Sequence, residues 1–199
     1  MNTHLQRLTD HGVLMVNGHF DYGNGYHGSM YLNPHRLFQH PSTIWRFAQD
    51  LIDALPGDVV ASADVVAGPV LGGALLGHTM VGLLDGRRPL SQPALQFAPV
   101  STDSHGALVL RPFYCEVVRG RRVLLVDDVR NTGKTFEKAK ALIEAAGGTV
   151  VATAEICDRL NAMVDLGVPN VALVDYPAPE NHPANACPLC KAGTAITSF

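Results

Sequence analysis

Residues 123–135 read VLLVDDVRNTGKT, and the fold turns on how this stretch is read. Four consecutive apolar residues, Val123 to Val126, suit a strand covered on both faces, as in a parallel sheet. The run ends in two carboxylates, Asp127 and Asp128, and a polar turn, Val129 to Thr135, follows. Phe136, Ala139, Leu142, Ile143 and Ala146 then recur at helical spacing until Gly147-Gly148 stops them. Strand, acidic pair, turn and helix make one unit of an α/β sheet, whose ligand crevice lies beyond the carboxyl ends of its strands.

The same alternation extends in both directions from this unit. Upstream, Ile44, Phe47, Ala48, Leu51 and Leu55 mark an amphipathic helix between Pro41-Ser42 and Pro56-Gly57. The uncharged stretch from Val65 to Leu84 is broken by Gly68-Pro69 and four later glycines, so it reads as a short strand, a glycine turn and a helix rather than a membrane span. Ala94 to Ala98 reads as a strand, Ser101 to Gly106 as a loop and residues 107–115 as extended chain. Downstream, Thr149 to Ile156 and Val171 to Val174 are further strands. The expected architecture is α/β, with a central parallel sheet and helices on both faces.

Size and charge narrow the function. A chain of 199 residues, 47% hydrophobic and 17% charged, buries one substantial core and is not disordered. One domain spanning residues 1–199 is expected. Nineteen Gly and thirteen Pro exceed average usage, roughly 12% of residues for the two together, and call for loops of special geometry. A net charge of −3 argues against a nucleic-acid partner, and the amino terminus has no apolar secretory core, so a reducing cytoplasm is the default.

The turn after the acidic pair is built for an anion. A helix starting near Thr132-Gly133 presents unpaired amide groups, and Thr132 and Thr135 add hydroxyl donors. Two acids directly ahead of a phosphate cradle fit a ribose 5-phosphate, whose ring hydroxyls would donate to the carboxylates. Residues 128–135 are one residue short of a nucleotide-triphosphate loop, because Asp128 stands where that loop requires glycine. A carboxylate there repels a polyphosphate. The Gly68 to Gly73 turn can likewise bring backbone amides close to an anion, or can serve only to pack a helix entrance tightly on the sheet. Arg159, just past a strand, can meet a carboxylate or imide edge in two-pronged fashion, or can serve only a surface ion pair with Asp158 or Asp165.

These segments, in this order, resemble the type I phosphoribosyltransferases, and within that family most closely the orotate phosphoribosyltransferases. VLLVDDVRNTGKT resembles the family's motif for phosphoribosyl diphosphate (PRPP), and Gly68-Pro69-Val70-Leu71-Gly72-Gly73 resembles its pyrophosphate loop. Gly18-His19-Phe20 through Asn24-Gly25-Tyr26-His27 and Tyr31 resembles the hood. Asp158-Arg159 resembles a pair whose arginine faces orotate, and Cys187-Pro188-Leu189-Cys190-Lys191-Ala192-Gly193 resembles the closing segment of one bacterial branch. The resemblance implies that residues 1–40 and about 176–199 form a hood and tail on the main domain. It implies a homodimer, and transfer of ribose 5-phosphate from Mg2+-bound PRPP to a base, orotate first. In that reading Asp127 and Asp128 are catalytic, and Mg2+ comes bound through PRPP rather than through a metal site of the protein. Arg130, Asn131, Thr132, Gly133, Lys134, Thr135, Gly68, Pro69, Val70, Gly72, Gly73 and Arg159 bind substrates.

The chain also departs from the family. The stretch before the PRPP motif, APVSTDSHGALVL, keeps His105-Gly106 but lacks the family's mobile lysine, and Asp103 stands where a cation is expected. A second family lysine, in the hood, falls at or near Gly23. Arg130 and Lys134 are the expected replacements, with His105 a weaker one. Transfer to another base and noncatalytic PRPP sensing are the alternatives that follow from these losses. The six histidines before residue 41 contain no H-x-H or H-x-x-x-H pair, so no metal cluster is expected among them. Cys187-x-x-Cys190 supplies half of a tetrahedral zinc site that Cys115, Cys157 or His182 would have to complete. Without a second pair at ligand spacing, the cysteines read as free structural thiols.

Overall fold

A computed structural model describes residues 3–22, 25–160, 164–177 and 181–198. In chain order the helices are α1 (Thr3–Asp10), α2 (Pro41–Ala54), α3 (Gly57–Ser62), α4 (Gly72–Gly86), α5 (Pro112–Val118), α6 (Lys134–Ala145) and α7 (Pro188–Lys191). The strands are β1 (Leu14–Met15), β2 (Phe20–Asp21), β3 (Tyr26–Gly28), β4 (Tyr31–Leu32), β5 (Val65–Pro69), β6 (Gln96–Thr102), β7 (Leu108–Val109), β8 (Arg122–Arg130), β9 (Thr149–Asp158), β10 (Asn170–Asp175) and β11 (His182–Pro183).

Six strands form the central sheet in the order β10-β9-β8-β5-β6-β7, parallel throughout except for the edge pair β6 and β7. Period-two alternation divides the apolar residues between two faces. Val66, Leu124, Val126, Ala154 and Ile156 pack with Phe47 and Leu51 of α2 and Leu76 and Met80 of α4. Val65, Ala67, Val123, Leu125 and Val150 pack on the other face with Phe136, Ala139 and Ile143 of α6 and Val118 of α5. The expected two-faced parallel sheet is what forms.

The strand order places a ligand crevice. From β5 the chain steps one way to β6, then returns through α5 to β8 on the opposite side of β5, so the sheet reverses direction between β5 and β8. The pairing of β5 with β8 ends at Ala67 opposite Leu125, while β8 continues alongside β9 to Arg130 opposite Asp158. Beyond that point the ends of β5 and β8 diverge and open the crevice typical of such a switch.

Several boundaries differ from the sequence reading. β8 runs through Asp127 and Asp128 to Arg130, because β9 supplies parallel partners as far as Asp158. Ser101 and Thr102 extend β6 rather than begin a loop, by pairing with Val109 and Leu108. Residues 112–115 are helical, not extended: Pro112 sits in the first turn of α5, where its missing N–H costs nothing.

The amino-terminal and carboxy-terminal segments join in a separate three-stranded sheet, β11-β3-β2. The Thr197 amide donates to the His19 carbonyl at 2.8 Å, and the Asp21 amide donates to the Thr197 carbonyl at 2.9 Å. This hood lies near the crevice. Leu32, Pro34 and Leu37 share a small cavity with Asp128 and Val129.

Candidate functional site

Asp127 and Asp128 stand at the carboxyl end of β8, at the switch between β5 and β8. The Asp128 amide donates to Asp127 Oδ1 at 2.9 Å. Burial raises both carboxyls above the ordinary carboxylate range. Asp127 is held well above it, with the neighbouring Asp128 adding to the effect. Two acids so placed are a prepared receptor for hydroxyl donors or a positive centre.

The glycines of the first turn sit directly against this pair. A Cβ on Gly72 would collide with Asp128 Oδ2, and one on Gly73 would lie 3.0 Å from Asp127 Oδ1 and 2.6 Å from the Val126 carbonyl oxygen. A Cβ on Gly68 would collide with the Gly73 carbonyl. Tight packing of a helix entrance therefore accounts for Gly68 and Gly73, whereas Gly72 faces a carboxylate. The Val70 amide is spent on the Val100 carbonyl, at 2.9 Å. The amides that open α4 have no acceptor within the helix, and they start at the same crevice. Val70 and Leu71 themselves are about half exposed at its mouth.

The second anion cradle is the turn into α6. Gly133 adopts φ +80, a left-handed conformation that glycine takes without a Cβ penalty, and no side chain caps the helix it begins. Asp127, Arg130, Asn131, Thr132, Gly133 and Thr135 line a cavity of about 140 Å³ there. The volume and the free helix amides suit one phosphate. Lys134 is exposed at the first position of α6.

Arg130 and Lys134 differ in burial. The Arg130 guanidinium is buried beside this cradle, with its Nη1 3.7 Å from Asp158 Oδ2 and its Nη2 donating to the Val164 carbonyl at 3.3 Å. Arg130 Nε is buried with no hydrogen-bond partner among the described residues. This anchoring places Arg130 in the wall of the phosphate cavity. The β6–β7 hairpin is closed on itself: Asp103 Oδ1 accepts from the amides of His105 and Ala107 at 2.8 and 2.9 Å. Gly23 lies outside the described residues.

Arg159 follows β9, its amide donating to the Arg130 carbonyl at 2.8 Å, and its Nε is buried without a partner among the described residues. It comes within electrostatic reach of Tyr22 in the hood, whose phenol is raised by burial and partly lowered by this guanidinium. Tyr22 and Phe38 were not legible as site residues. Phe38 reaches Gly72 from the 3₁₀ turn Pro34–Gln39, and only the fold brings either residue to the crevice.

Glu155 pairs with Asp127 across the β8–β9 ladder and is fully buried. Its Oε1 accepts from Asn170 Nδ2 at 2.8 Å, while Oε2 has no partner among the described residues. Burial lifts its carboxyl from 4.5 to about 7, against the Asn170 hydrogen bond and with help from Asp158. Because the folded value lies above the unfolded one, the stability tied to this proton is complete below the unfolded value and is lost as pH rises through about 7. Glu155→Gln should therefore gain stability relative to the parent between about pH 5 and about pH 8, by up to about 3 kcal/mol. Urea denaturation at the two pH values checks this; a difference that does not change with pH would contradict it.

The residues beside the Cys187-x-x-Cys190 pair are not those offered by the sequence. His19, His27, Cys187 and Cys190 offer donor atoms that all lie within 4.8 Å of one another. The histidines thus do form a cluster, and neither Cys115, Cys157 nor His182 belongs to it. Cys157 is buried in β9, and burial pushes its thiol up to about 12. Spacing along the chain does not show this grouping, because the two histidines meet across the β2–β3 hairpin and the cysteines arrive from the far end of the chain.

Comparison with known proteins agrees with the geometry. The phosphoribosyl transferase domain family matches residues 36–165. The orotate phosphoribosyltransferase of Heliobacterium modesticaldum is 35% identical over 182 residues, covering 90% of this chain and 87% of that protein. The Erythrobacter litoralis orotate phosphoribosyltransferase is 33% identical over 180 residues, covering 86% and 88%. Among solved structures, orotate phosphoribosyltransferase from Aeropyrum pernix superposes with a TM-score of 0.65 at 23% identity, covering 85% of this chain and 92% of that one. With an acidic pair at the sheet's switch point, two open helix starts around it and this likeness along most of its length, the chain belongs to the phosphoribosyltransferase family, in the group of the orotate phosphoribosyltransferases.

Proposed function

We propose that the chain transfers ribose 5-phosphate from PRPP to orotate, releasing pyrophosphate and forming orotidine 5'-monophosphate. The observation that carries this reading is the placement of Asp127 and Asp128 between the two helix starts, one for each phosphate end of PRPP. The 5-phosphate occupies the turn Arg130 to Thr135, held by the first amides of α6, by Thr132 and Thr135, and by the unpaired Arg130 Nε. Its binding energy positions the distant anomeric carbon. The pyrophosphate lies over Gly68 to Gly73, against the opening amides of α4.

Asp127 and Asp128 accept hydrogen bonds from the two ribose hydroxyls. As the bond to pyrophosphate lengthens, the sugar ring gains positive charge, and the two carboxylates stabilise it where it develops. Arg159 receives the planar, anionic base and turns a ring nitrogen toward the anomeric carbon. The oxygen donors fit a hard divalent ion, since the acid pair abuts Gly72 and Gly73 where pyrophosphate is placed. Asp127 and Asp128 would hold Mg2+ arriving on the pyrophosphate, and the ion would supply neutralisation of the departing charge.

The family likeness further supports a homodimer, and the free cysteines accord with a cytoplasmic setting. Among the described residues no helix is long and apolar enough to cross a membrane. Noncatalytic PRPP sensing is the second reading, favoured by Asp103 closing its own hairpin where a mobile lysine is expected. Both readings require PRPP to bind. PRPP with Mg2+ at about a hundred times its Kd should raise stability by about 2.7 kcal/mol in chemical denaturation, while ATP leaves it unchanged. Stabilisation by ATP and not by PRPP would overturn the assignment.

A further inference from the structure

We propose that His19, His27, Cys187 and Cys190 bind one structural Zn2+ that clasps the tail of the chain to its hood. The distances match a tetrahedral ion. Zinc lies about 2.0–2.1 Å from imidazole nitrogen and about 2.3 Å from thiolate sulfur. Tetrahedral angles then set ligand separations of about 3.4 Å for N···N, about 3.6 Å for N···S and about 3.8 Å for S···S. His19 Nε2 lies 3.2 Å from His27 Nδ1. Cys187 Sγ and Cys190 Sγ lie 3.6 and 3.7 Å from His19 Nε2, and Cys190 Sγ lies 3.3 Å from His27 Nδ1. Four of the six separations among these donors thus lie close to the edges of one tetrahedron, and all six are within 4.8 Å.

The outer contacts fix the ring nitrogens that face inward. His19 Nδ1 lies 2.8 Å from the Thr194 carbonyl, to which it can only donate. Its Nε2 then carries a lone pair aimed at the cluster. His27 Nε2 lies 3.9 Å from Asp21 Oδ1, which leaves Nδ1 on the inner side. The carbonyl behind His19 is the outer partner a zinc-bound histidine takes, and the Asp21 carboxylate stands near His27 beyond hydrogen-bond distance. The two inward ring nitrogens lie 3.2 Å apart, a separation that a shared cation or a proton between them accounts for.

Charge and burial agree with the assignment. His19, His27 and Cys187 are buried, and only Cys190 is exposed, offering the ion a route in. Two thiolates and Zn2+ sum to zero, so the filled site carries no net charge into this buried place. Binding releases two thiol protons to solvent. All four positions are protein ligands and none is left for water, so the ion is structural and takes no part in the transfer. Soft sulfur donors also separate this site from the oxygen-lined crevice where Mg2+ is carried.

The clasp has mechanical consequences for the hood. His19 precedes β2, His27 lies in β3, and Cys187 and Cys190 bracket the first turn of α7. A metal at their meeting point joins both strands of the hairpin to the tail, and the hairpin carries Tyr22 to Arg159.

The full-length chain, purified without chelator, should hold one zinc per chain by elemental analysis, and Cys187→Ser with Cys190→Ser should hold none. In the folded parent, Cys187 and Cys190 should resist alkylation until a chelator strips the zinc, whereas the buried Cys157 stays unreactive in both states. This readout needs neither a folded variant nor activity. Co2+ in place of zinc should give the absorption of a tetrahedral thiolate site. A Cys187–Cys190 disulfide, ready alkylation of all exposed thiols in zinc-loaded protein, or no uptake when Zn2+ is titrated into metal-free chain would each overturn the proposal.

Discussion

Changing Asp127 and Asp128 together to asparagine should lower kcat/KM by about a thousandfold or more, corresponding to about 4 kcal/mol of lost transition-state stabilisation. Asparagine preserves shape, and Oδ1 of residue 127 can still accept the amide of residue 128, so the turn at the end of β8 should stay intact. What disappears is negative charge beneath a sugar ring that becomes positive only in the transition state. The loss should fall mainly on kcat, with PRPP affinity reduced far less, because the phosphate cradles at α4 and α6 are untouched. Steady-state kinetics with direct PRPP binding separates the two. The parent should also lose kcat/KM on acidification at a pH above the ordinary aspartate range, since burial holds both carboxyls up and protonation abolishes the charge. A double variant with parental kcat would remove the acid pair from the mechanism.

Arg159→Lys should cut kcat/KM for orotate by about a hundredfold while leaving the KM for PRPP nearly unchanged. Lysine keeps the charge but not the planar pair of donors, and a lost charge-assisted hydrogen bond in a desolvated site is worth about 3 kcal/mol. The position is favourable for such a role. The Arg159 backbone is tied to the end of β8 through the Arg130 carbonyl, and its buried Nε has no partner among the described residues. Discrimination between orotate and uracil, which lacks the carboxylate, should narrow in the variant. An equal loss for both bases would mean that Arg159 serves the fold and not the base.

The stretch from Val123 to Thr135 was legible because each of its parts is a local signal: an unbroken apolar run, charges that end it, and a glycine at the helix start. What it could not show is how far β8 runs. Pairing of Val129 with Cys157 and Arg130 with Asp158 is a property of β9, more than 25 residues away. The direction of Arg130 was hidden for the same reason, since Asp158 and Val164 set it. Pro112 was a readable signal that was missed, as a proline one residue after a boundary opens helices as well as turns. The His19, His27, Cys187 and Cys190 cluster lies beyond any spacing rule. Its halves are separated by most of the chain and meet only because β11 pairs with β3 and Thr197 bridges to Phe20.

In the proposed function, transfer to orotate proceeds without a lysine in the stretch before the PRPP motif. Release of pyrophosphate from Mg-PRPP, followed across orotate, uracil, adenine, guanine, hypoxanthine and nicotinate, tests it most directly. Turnover should be fastest with orotate, by at least about a hundredfold over bases lacking a carboxylate beside the ring, because their contacts leave Arg159 unpaired. Preference for a purine would keep the transferase and contradict the substrate. Tight PRPP binding with no pyrophosphate released for any base, at any pH, would contradict catalysis itself and leave a PRPP sensor.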